Sequence, residues 1–527
     1  MIDDEPFNAA GWLVDRHVDA GAGGRVAYRC GDDEITYADL LALTGRAATM
    51  LGDLGVAPGD RFIMVVSDEP AFPAVFLGGL RIGAVPIPVS TMLKPAEVAV
   101  MAADSGAVAA VLSEPFTGHA AALAEAAPTL RSVVVVDTGL QAAGPPAQLP
   151  PSVSLHSWSE HGPAAPVPPA GTTAATDGFW LYTSGTTGTP KAAVHRHGDI
   201  RAVAETYGAH VLEISPDDVC YSVAKLFFAF GLGNALLFPL AVGASAVIDP
   251  RPPTPARAAE LALRHRPTLF FAPPGFCAGL ADADVPADAL ASVRATVTAG
   301  ETLPAEVYRR FRARFGVEML DGIGSTEALH IFCSNRPDAL RPGSTGRPVS
   351  GYDLRLTDDT GATIAEAEAT GSLWVRGPSV THGYWRRPEV NAATFIDGWC
   401  RTGDVYRRDA DGFYWFVGRT SDMIKAGGIW VSPAEVEAVL LGHPAVLEAA
   451  VVGGRTDEGL EQVIAFVVPA AGRRIDEAEL LGHCRERMAA FKRPRTIHVV
   501  DALPKTATGK IQRYALRAQL EQPVAAE

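Results

Sequence analysis

Residues Thr183-Ser184-Gly185-Thr186-Thr187-Gly188-Thr189-Pro190-Lys191 gather hydrogen-bond donors into nine positions. Glycines let backbone N–H groups face an anion, hydroxyls add further donors, and the Lys191 ammonium adds charge. Such a stretch suits a polyphosphate. It departs from the GxxxxGK[ST] phosphate loop, because Pro190 precedes the lysine and Ala192 follows it. Neither GLGNAL at 231–236 nor GIGSTE at 322–327 satisfies GxGxxG, which disfavours hydride transfer on a dinucleotide fold. Lysine itself is scarce. The chain has seven lysines against 38 arginines, at 94, 191, 225, 425, 492, 505 and 510. Codon bias explains the preference for arginine, and the retained lysines mark places where a compact ammonium is wanted.

The bulk composition limits the alternatives. Over 527 residues, 48% hydrophobic and 20% charged content is that of a globular chain. A net charge of −15 argues against holding nucleic acid or an anionic membrane by bulk charge. Six scattered cysteines, without zinc spacing, read as free thiols in a reducing cytoplasm. The acidic start MIDDEPFNAAGW has no apolar core, so it is not read as a signal peptide. Residues 226–248 carry no charge, but several glycines and a break at Pro239 favour a short buried helix near 233–241 followed by a buried strand at 244–248 over a membrane span.

The elements that must position the donor-rich loop alternate along the chain. Apolar, β-branched runs at 62–67, 108–113, 132–137, 269–272 and 296–298 read as strands. Ala/Leu-rich stretches at 37–54, 70–82, 95–105 and 255–265 read as helices, giving α/β layers with mainly parallel sheets. Eight prolines within 145–169 predict a surface connector over about 139–178. Shorter, glycine-punctuated strands over about 345–418 predict a small β-rich part. From about 420 a small α+β unit begins: a hairpin (423–431), a helix (433–442), strands (448–452, 463–468), a helix (476–490) and a last strand (496–500).

Five ordered motifs accompany the loop: Gly300-Glu301-Thr302, Asp321 through Glu327 (DGIGSTE), Arg401-Thr402-Gly403-Asp404, Gly418 through Lys425 (GRTSDMIK), and Pro504 through Lys510 (PKTATGK). Together with YTSGTTGTPK they resemble, over essentially the whole chain, the adenylate-forming superfamily of acyl-CoA synthetases, carrier-loading adenylation domains and luciferases. The resemblance implies a large N-terminal domain (1–418), a hinge (419–423) and a mobile C-terminal domain (424–527). It implies ATP, Mg²⁺ and coenzyme A, with attack of a carboxylate on the α-phosphorus and then thioester formation.

By that resemblance, Thr183, Ser184, Gly185, Thr186, Thr187, Gly188 and Lys191 hold the β- and γ-phosphates. Thr326 meets the α-phosphate, and Glu327 holds Mg²⁺. Gly300, Glu301, Thr302, Asp321 and Gly322 frame adenine, while Asp404 and Arg419 meet the ribose. Lys510 bridges carboxylate and α-phosphate. Lys425, Gly427 and Gly428 line a pantetheine tunnel. Ser421 takes the hinge position, where most relatives carry Asp or Lys.

The run 224–234 (AKLFFAFGLGN) and Thr326 through Phe332 are similar to the acid pocket of benzoate–CoA ligases. This places Lys225, Phe228, Ala229, Phe230, Ala299, Gly324, His330 and Ile331 around an aromatic carboxylate, with Phe230 where relatives usually carry Tyr. The reading is therefore an AMP-forming aryl-CoA ligase for benzoate or a close aromatic acid. The runner-up is a stand-alone enzyme loading an aryl acid onto a carrier protein. A catalytically silent nucleotide-binding protein is disfavoured by retention of Glu327, Asp404 and Lys510. A second copy of the chain stays open as a partner.

Overall fold

Runs that are apolar at every position need cover on both faces, and parallel sheets flanked by helices provide it. In the computed structural model, which describes residues 5–136, 149–162, 167–184, 190–426, 429–455, 461–470, 472–505 and 511–521, those runs build two sheets. The first is wholly parallel, in the order Val85–Pro88, Arg61–Val65, Ala109–Ser113, Ser132–Val136, Ser154–Ser157. The second runs Arg347–Pro348, Ile331–Ser334, Met319–Gly324, Ala295–Thr298, Leu269–Phe271, Val219–Ser222, Ser245–Ile248, Val26–Cys30, Asp33–Thr36. It is parallel from Val26–Cys30 through Met319–Gly324 and antiparallel at both ends. Helices Tyr37–Asp53, Ala71–Arg81, Pro95–Ser105 and Pro255–His265 fall where the periodicity places them. The first starts at Thr36, whose side chain accepts from the Asp39 N–H while Asp39 answers to the Thr36 N–H, a complete capping box.

Two elements differ from the sequence reading. The proline-rich connector contains a strand, Ser154–Ser157, that adds to the edge of the first sheet. Its prolines flank the strand instead of entering it, and an edge position leaves one side free of ladder bonds. Pro239 does not break its helix. Ala229–Leu232, Gly233–Leu237 and Phe238–Val242 follow one another, and the central segment is a π-helical turn in which the Phe238 N–H reaches the Gly233 carbonyl. The wider turn accommodates the proline, and the chain then reverses at Gly243 (φ 81°) into Ser245–Ile248. Among the described residues no helix is long and apolar enough to cross a membrane.

A third, antiparallel sheet joins Asp353–Thr357, Thr370–Arg376 and Trp399–Arg408, with Phe395–Ile396 and Tyr414–Arg419 against the last of these. The hairpin Asp177–Ser184 and Pro190–Arg196 forms a two-stranded ribbon that bridges to Tyr384 through Ala193. After it come Ile424–Ala426 and Ile429–Val431, the helix Pro433–Leu441, the sheet Val446–Arg455, Glu461–Pro469, Thr496–Val499, and the helices Glu477–Arg487 and Arg513–Glu521. This small α+β unit has its own core of Ile424, Val431, Val436, Leu440, Val451 and Ile497.

Candidate active site

Parallel strands end in loops on one edge, and that edge is where α/β sheets bind ligands. Ala295–Thr298 and Met319–Gly324 are paired, with Thr298 beside Asp321. Their following loops, 299–302 and 325–327, are thereby brought together. Gly300 adopts φ 90° with open space where a Cβ would lie, a backbone that other residues rarely take. Asp321 is buried and accepts from the Thr298 hydroxyl at 3.0 Å. Burial pushes its carboxyl up to about 8, while the Thr298 hydroxyl and the Gly322 N–H pull the other way. At neutral pH the acid is therefore mostly protonated.

Thr326 and Glu327 are held from several sides. The buried His195 ring places Nδ1 3.1 Å from Asp199 Oδ2 and Nε2 2.8 Å from the Thr326 carbonyl. The Thr381 N–H donates to the Glu327 carbonyl at 2.7 Å. The Tyr384 hydroxyl donates to Glu327 Oε1 at 2.6 Å. Asn391 clamps the Tyr384 backbone, accepting its N–H at 2.8 Å and donating to its carbonyl at 2.9 Å. Burial, and next the Glu327 charge, push the Tyr384 phenol far above its ordinary range, so it stays a donor. The Lys191 ammonium lies 4.4 Å from the centre of the same ring. Thus the lysine that closes the donor-rich loop and the DGIGSTE carboxylate meet on opposite parts of one tyrosine.

The hairpin carrying the loop pairs Thr183 with Lys191 and Ser184 with Pro190. Gly185, Thr186, Thr187 and Gly188 lie outside the described residues, as do Gly427, Gly428 and Lys510. Thr302 is exposed and Glu301 half-buried. Glu301 Oε2 accepts from the Gly275 N–H at 3.2 Å. Asp404 and Arg419 are cross-strand partners, with Arg419 Nε 2.7 Å from the buried Asp404 Oδ1. Ser421 sits exposed in the turn that follows. Before it, the Thr420 N–H donates to the Gly403 carbonyl, on the large unit. After it, Asp422 is bonded by Arg517 of the last helix. A hydrogen bond also crosses back, from the Ser432 hydroxyl to the Val417 carbonyl. Lys425 enters the first strand of the small unit, Ile424–Ala426. On either side of the undescribed residues 506–510, Lys505 bridges Ile511 and the Gln512 N–H donates to the Pro504 carbonyl at 2.8 Å.

The aromatic side is of a different character. Phe228, Ala229 and Phe230 open the helical run. The Phe230 ring lies 5.6 Å from His330 at 29°, and Phe238 meets the same imidazole edge-on at 4.6 Å. His330 Nε2 is 3.1 Å from Asn234 Oδ1. Burial pushes His330 down to about 3, so it is neutral at physiological pH. A Cβ at Gly233 would run into the His330 ring, and one at Gly324 would meet the His330 carbonyl at 2.6 Å. Ala299 and Ile331 are buried beside them, Ile331 packing over Gly322.

Lys225, which the resemblance sets near the acid wall, has its ammonium among backbone carbonyls. Its ammonium donates to the carbonyls of Asp249 (2.5 Å) and Arg251 (2.8 Å) and lies 3.9 Å from Asp68 Oδ2. It is therefore engaged behind the wall, because a long stem reaches the end of the neighbouring strand. Sequence reasoning missed Tyr384, Asn391, His195, Asp199 and Asp68. His195 and Asp199 carried a signal, an acid four residues after a histidine, but Tyr384 and Asp68 take their place only through tertiary contacts.

The donor set around Glu327 is one carboxylate with a neighbouring hydroxyl. Such a set suits Mg²⁺, which keeps waters and takes phosphate oxygens. Among the described residues no group of three or more His, Cys, Asp or Glu could hold a metal by itself.

Comparison with known proteins gives a consistent result. Residues 14–385 match the AMP-binding enzyme family and residues 435–510 its C-terminal domain. A benzoate–CoA ligase of Thauera aromatica is 44% identical over 98% of this chain and 96% of its own length. A 4-hydroxybenzoate–CoA/benzoate–CoA ligase of Rhodopseudomonas palustris is 40% identical over 97% of this chain and 94% of its own. Among solved structures, a benzoate CoA ligase from Burkholderia xenovorans LB400 superposes with a TM-score of 0.88 at 40% identity, covering 97% of this chain and all of that one. An anthranilate CoA ligase with anthranoyl-AMP bound gives a TM-score of 0.88 at 35% identity, covering 98% of this chain and 97% of that one.

Proposed function

The chain belongs to the AMP-binding enzyme family, and within it to the acid–thiol ligases of the AMP-forming benzoate–CoA ligase type, and we propose that its own acid is benzoate or a close aromatic analogue. The observation that carries this reading is the packing of half-buried Phe230 and buried Phe238 on a neutral His330, with half-buried Phe228 at the start of the same run. A flat apolar ring is matched by such a surface, and a charged or long flexible tail is not.

The chemistry then divides among the residues. Lys191 and the loop 183–188 hold the β- and γ-phosphates of ATP. Asp404 and Arg419 hold the ribose, and residues 300–302 with 321–322 frame adenine. Thr326 meets the α-phosphate. When bound, Mg²⁺ on Glu327 neutralises phosphoryl charge. The carboxylate oxygen attacks the α-phosphorus and pyrophosphate leaves, with Lys510 stabilising the charge that develops between them. Rotation at Ser421 then withdraws Lys510 and brings Lys425, Gly427 and Gly428 to line the path of the CoA thiol, which attacks the acyl adenylate and releases AMP.

A ligation panel tests the assignment. Benzoate, hydroxybenzoates, aminobenzoates, cinnamate and short fatty acids are offered with ATP and either free CoA or a phosphopantetheinylated carrier protein. Benzoate or a monosubstituted benzoate with free CoA is expected to give the highest kcat/KM. Turnover only on the carrier would replace the CoA assignment with carrier loading.

A further inference from the structure

We propose that Lys225 and Asp68 form a strut that positions the aromatic wall, so that Lys225 governs affinity for the acid's ring without touching its carboxylate. The proposal rests on the aromatic-acid reading above and goes beyond it.

Asp68 follows the strand Arg61–Val65 of the first sheet and is buried. Both its oxygens face the Leu226 N–H, at 3.1 and 3.4 Å. The Lys225 ammonium is 3.9 Å away and is held by the Asp249 and Arg251 carbonyls, just past Ser245–Ile248 of the second sheet. Two consecutive residues, 225 and 226, therefore bolt the start of the wall to both sheets at once. The Lys225 carbonyl completes the arrangement. It accepts the Phe228 N–H at 3.0 Å, and a Cβ at Gly231 would collide with it. The backbone at Lys225 is the floor on which Phe228 to Gly231 turn.

Two of the three ammonium donors are engaged by carbonyls, and the Asp68 carboxylate 3.9 Å away attracts the charge without a direct hydrogen bond. Leaving them to meet a substrate carboxylate would strand the Asp249 and Arg251 carbonyls and the buried Asp68. Asp68 itself is raised to about 6 by burial, against the pull of Lys225 and the Leu226 N–H. Removing the cation would thus favour its neutral form and loosen the Leu226 contact.

The test compares two ligands of one shape, benzoate and uncharged benzamide, by calorimetry on the full-length wild type, Lys225→Met, Lys225→Arg and Asp68→Asn. If Lys225 acts as a strut, Lys225→Met weakens benzoate and benzamide by the same factor, about tenfold, and leaves the KM for ATP within twofold. Lys225→Arg recovers part of the loss, and Asp68→Asn weakens both ligands in parallel. A loss confined to benzoate, or no loss for either, overturns the proposal.

The unmutated protein gives a second reading that does not depend on the variants folding. Among its seven lysines, the ¹⁵Nζ resonance of Lys225 is expected to stay in place as benzoate saturates. A shift to a carboxylate-paired position contradicts the strut. If the wild type ligates a different aromatic acid, that acid and its amide replace the benzoate pair. In that event the substrate assignment fails while the strut is still measured.

Discussion

The nucleotide side and the acid side of this site solve opposite problems. On the proposed nucleotide side, Lys191, Tyr384 and Glu327 are joined by side-chain contacts, and Asp404 with Arg419 by cross-strand register. On the acid side, Phe230, Phe238 and His330 are packed rings, and the imidazole among them is kept neutral by burial. Charged triphosphate needs placed charge, and an aromatic ring needs shape. The difference teaches where each kind of substitution should be felt: rate on the first side, affinity on the second.

The largest expected effect is on the first side. Lys510→Ala is predicted to lower adenylation by roughly 10²–10³, the scale for one preorganised charge donor, and to spare CoA transfer from a supplied acyl adenylate. Equal loss in both half-reactions, measured by pyrophosphate exchange and by single-turnover thioester formation, would remove this role. On the second side, Gly233→Ala drives a methyl into the His330 ring. It is expected to destabilise the fold by about 1–3 kcal/mol and to raise the KM for the acid far more than that for ATP. Chemical denaturation and steady-state kinetics check the two parts.

A smaller effect is expected from Tyr384→Phe. It removes one hydrogen bond to a carboxylate, about 1.5–3 kcal/mol in general, and leaves the ring under Lys191 intact. Adenylation should slow by about tenfold with the KM for the acid unmoved. A change in the acid's KM instead would mean that the two sides are not separable in this way.

The last contrast is in the pH dependence of stability, where the two sides differ in sign. His330 is lowered from 6.5 to about 3 by burial. The unfolded chain takes up a proton below pH 6.5 that the folded one refuses, so this contribution is complete above pH 6.5 and falls as pH drops toward 3. Asp321 is raised from 3.8 to about 8. Its contribution is complete below pH 3.8 and is lost as pH rises toward 8. One proton is worth about 1.4 kcal/mol per pH unit. Unfolding free energies measured across pH 4–8 should accordingly lose a slope that rises with pH below 6.5 in His330→Gln, and a slope that falls with pH across the whole range in Asp321→Asn.

Much of this architecture was legible in the sequence for a physical reason. Strands such as Ala109–Ser113 and Ser132–Val136 are uninterrupted apolar runs, and helix Tyr37–Asp53 announces its start with a capping box. The ordered motifs made Glu327, Asp404 and Arg419 visible before their geometry was known. What escaped depends on where a chain goes after it leaves its own element. Lys225 lies in a pocket-like run, yet its ammonium turns to the 249–251 backbone. Tyr384 belongs to none of the motifs used, and tertiary contacts such as its bridge to Ala193 and its bond to Glu327 bring it into the site. Pro239 looked like a break because a straight helix cannot hold it, and the π-helical turn before it changes that condition.

The division of labour between the two sides is tested most directly by acid-dependent ATP–pyrophosphate exchange on the wild-type enzyme, run side by side with benzoate and with short fatty acids. The account predicts exchange with benzoate or a close aromatic acid, and kcat/KM lower by at least tenfold for the aliphatic acids. Exchange equally fast with an aliphatic acid, or absent with every aromatic one, would contradict it.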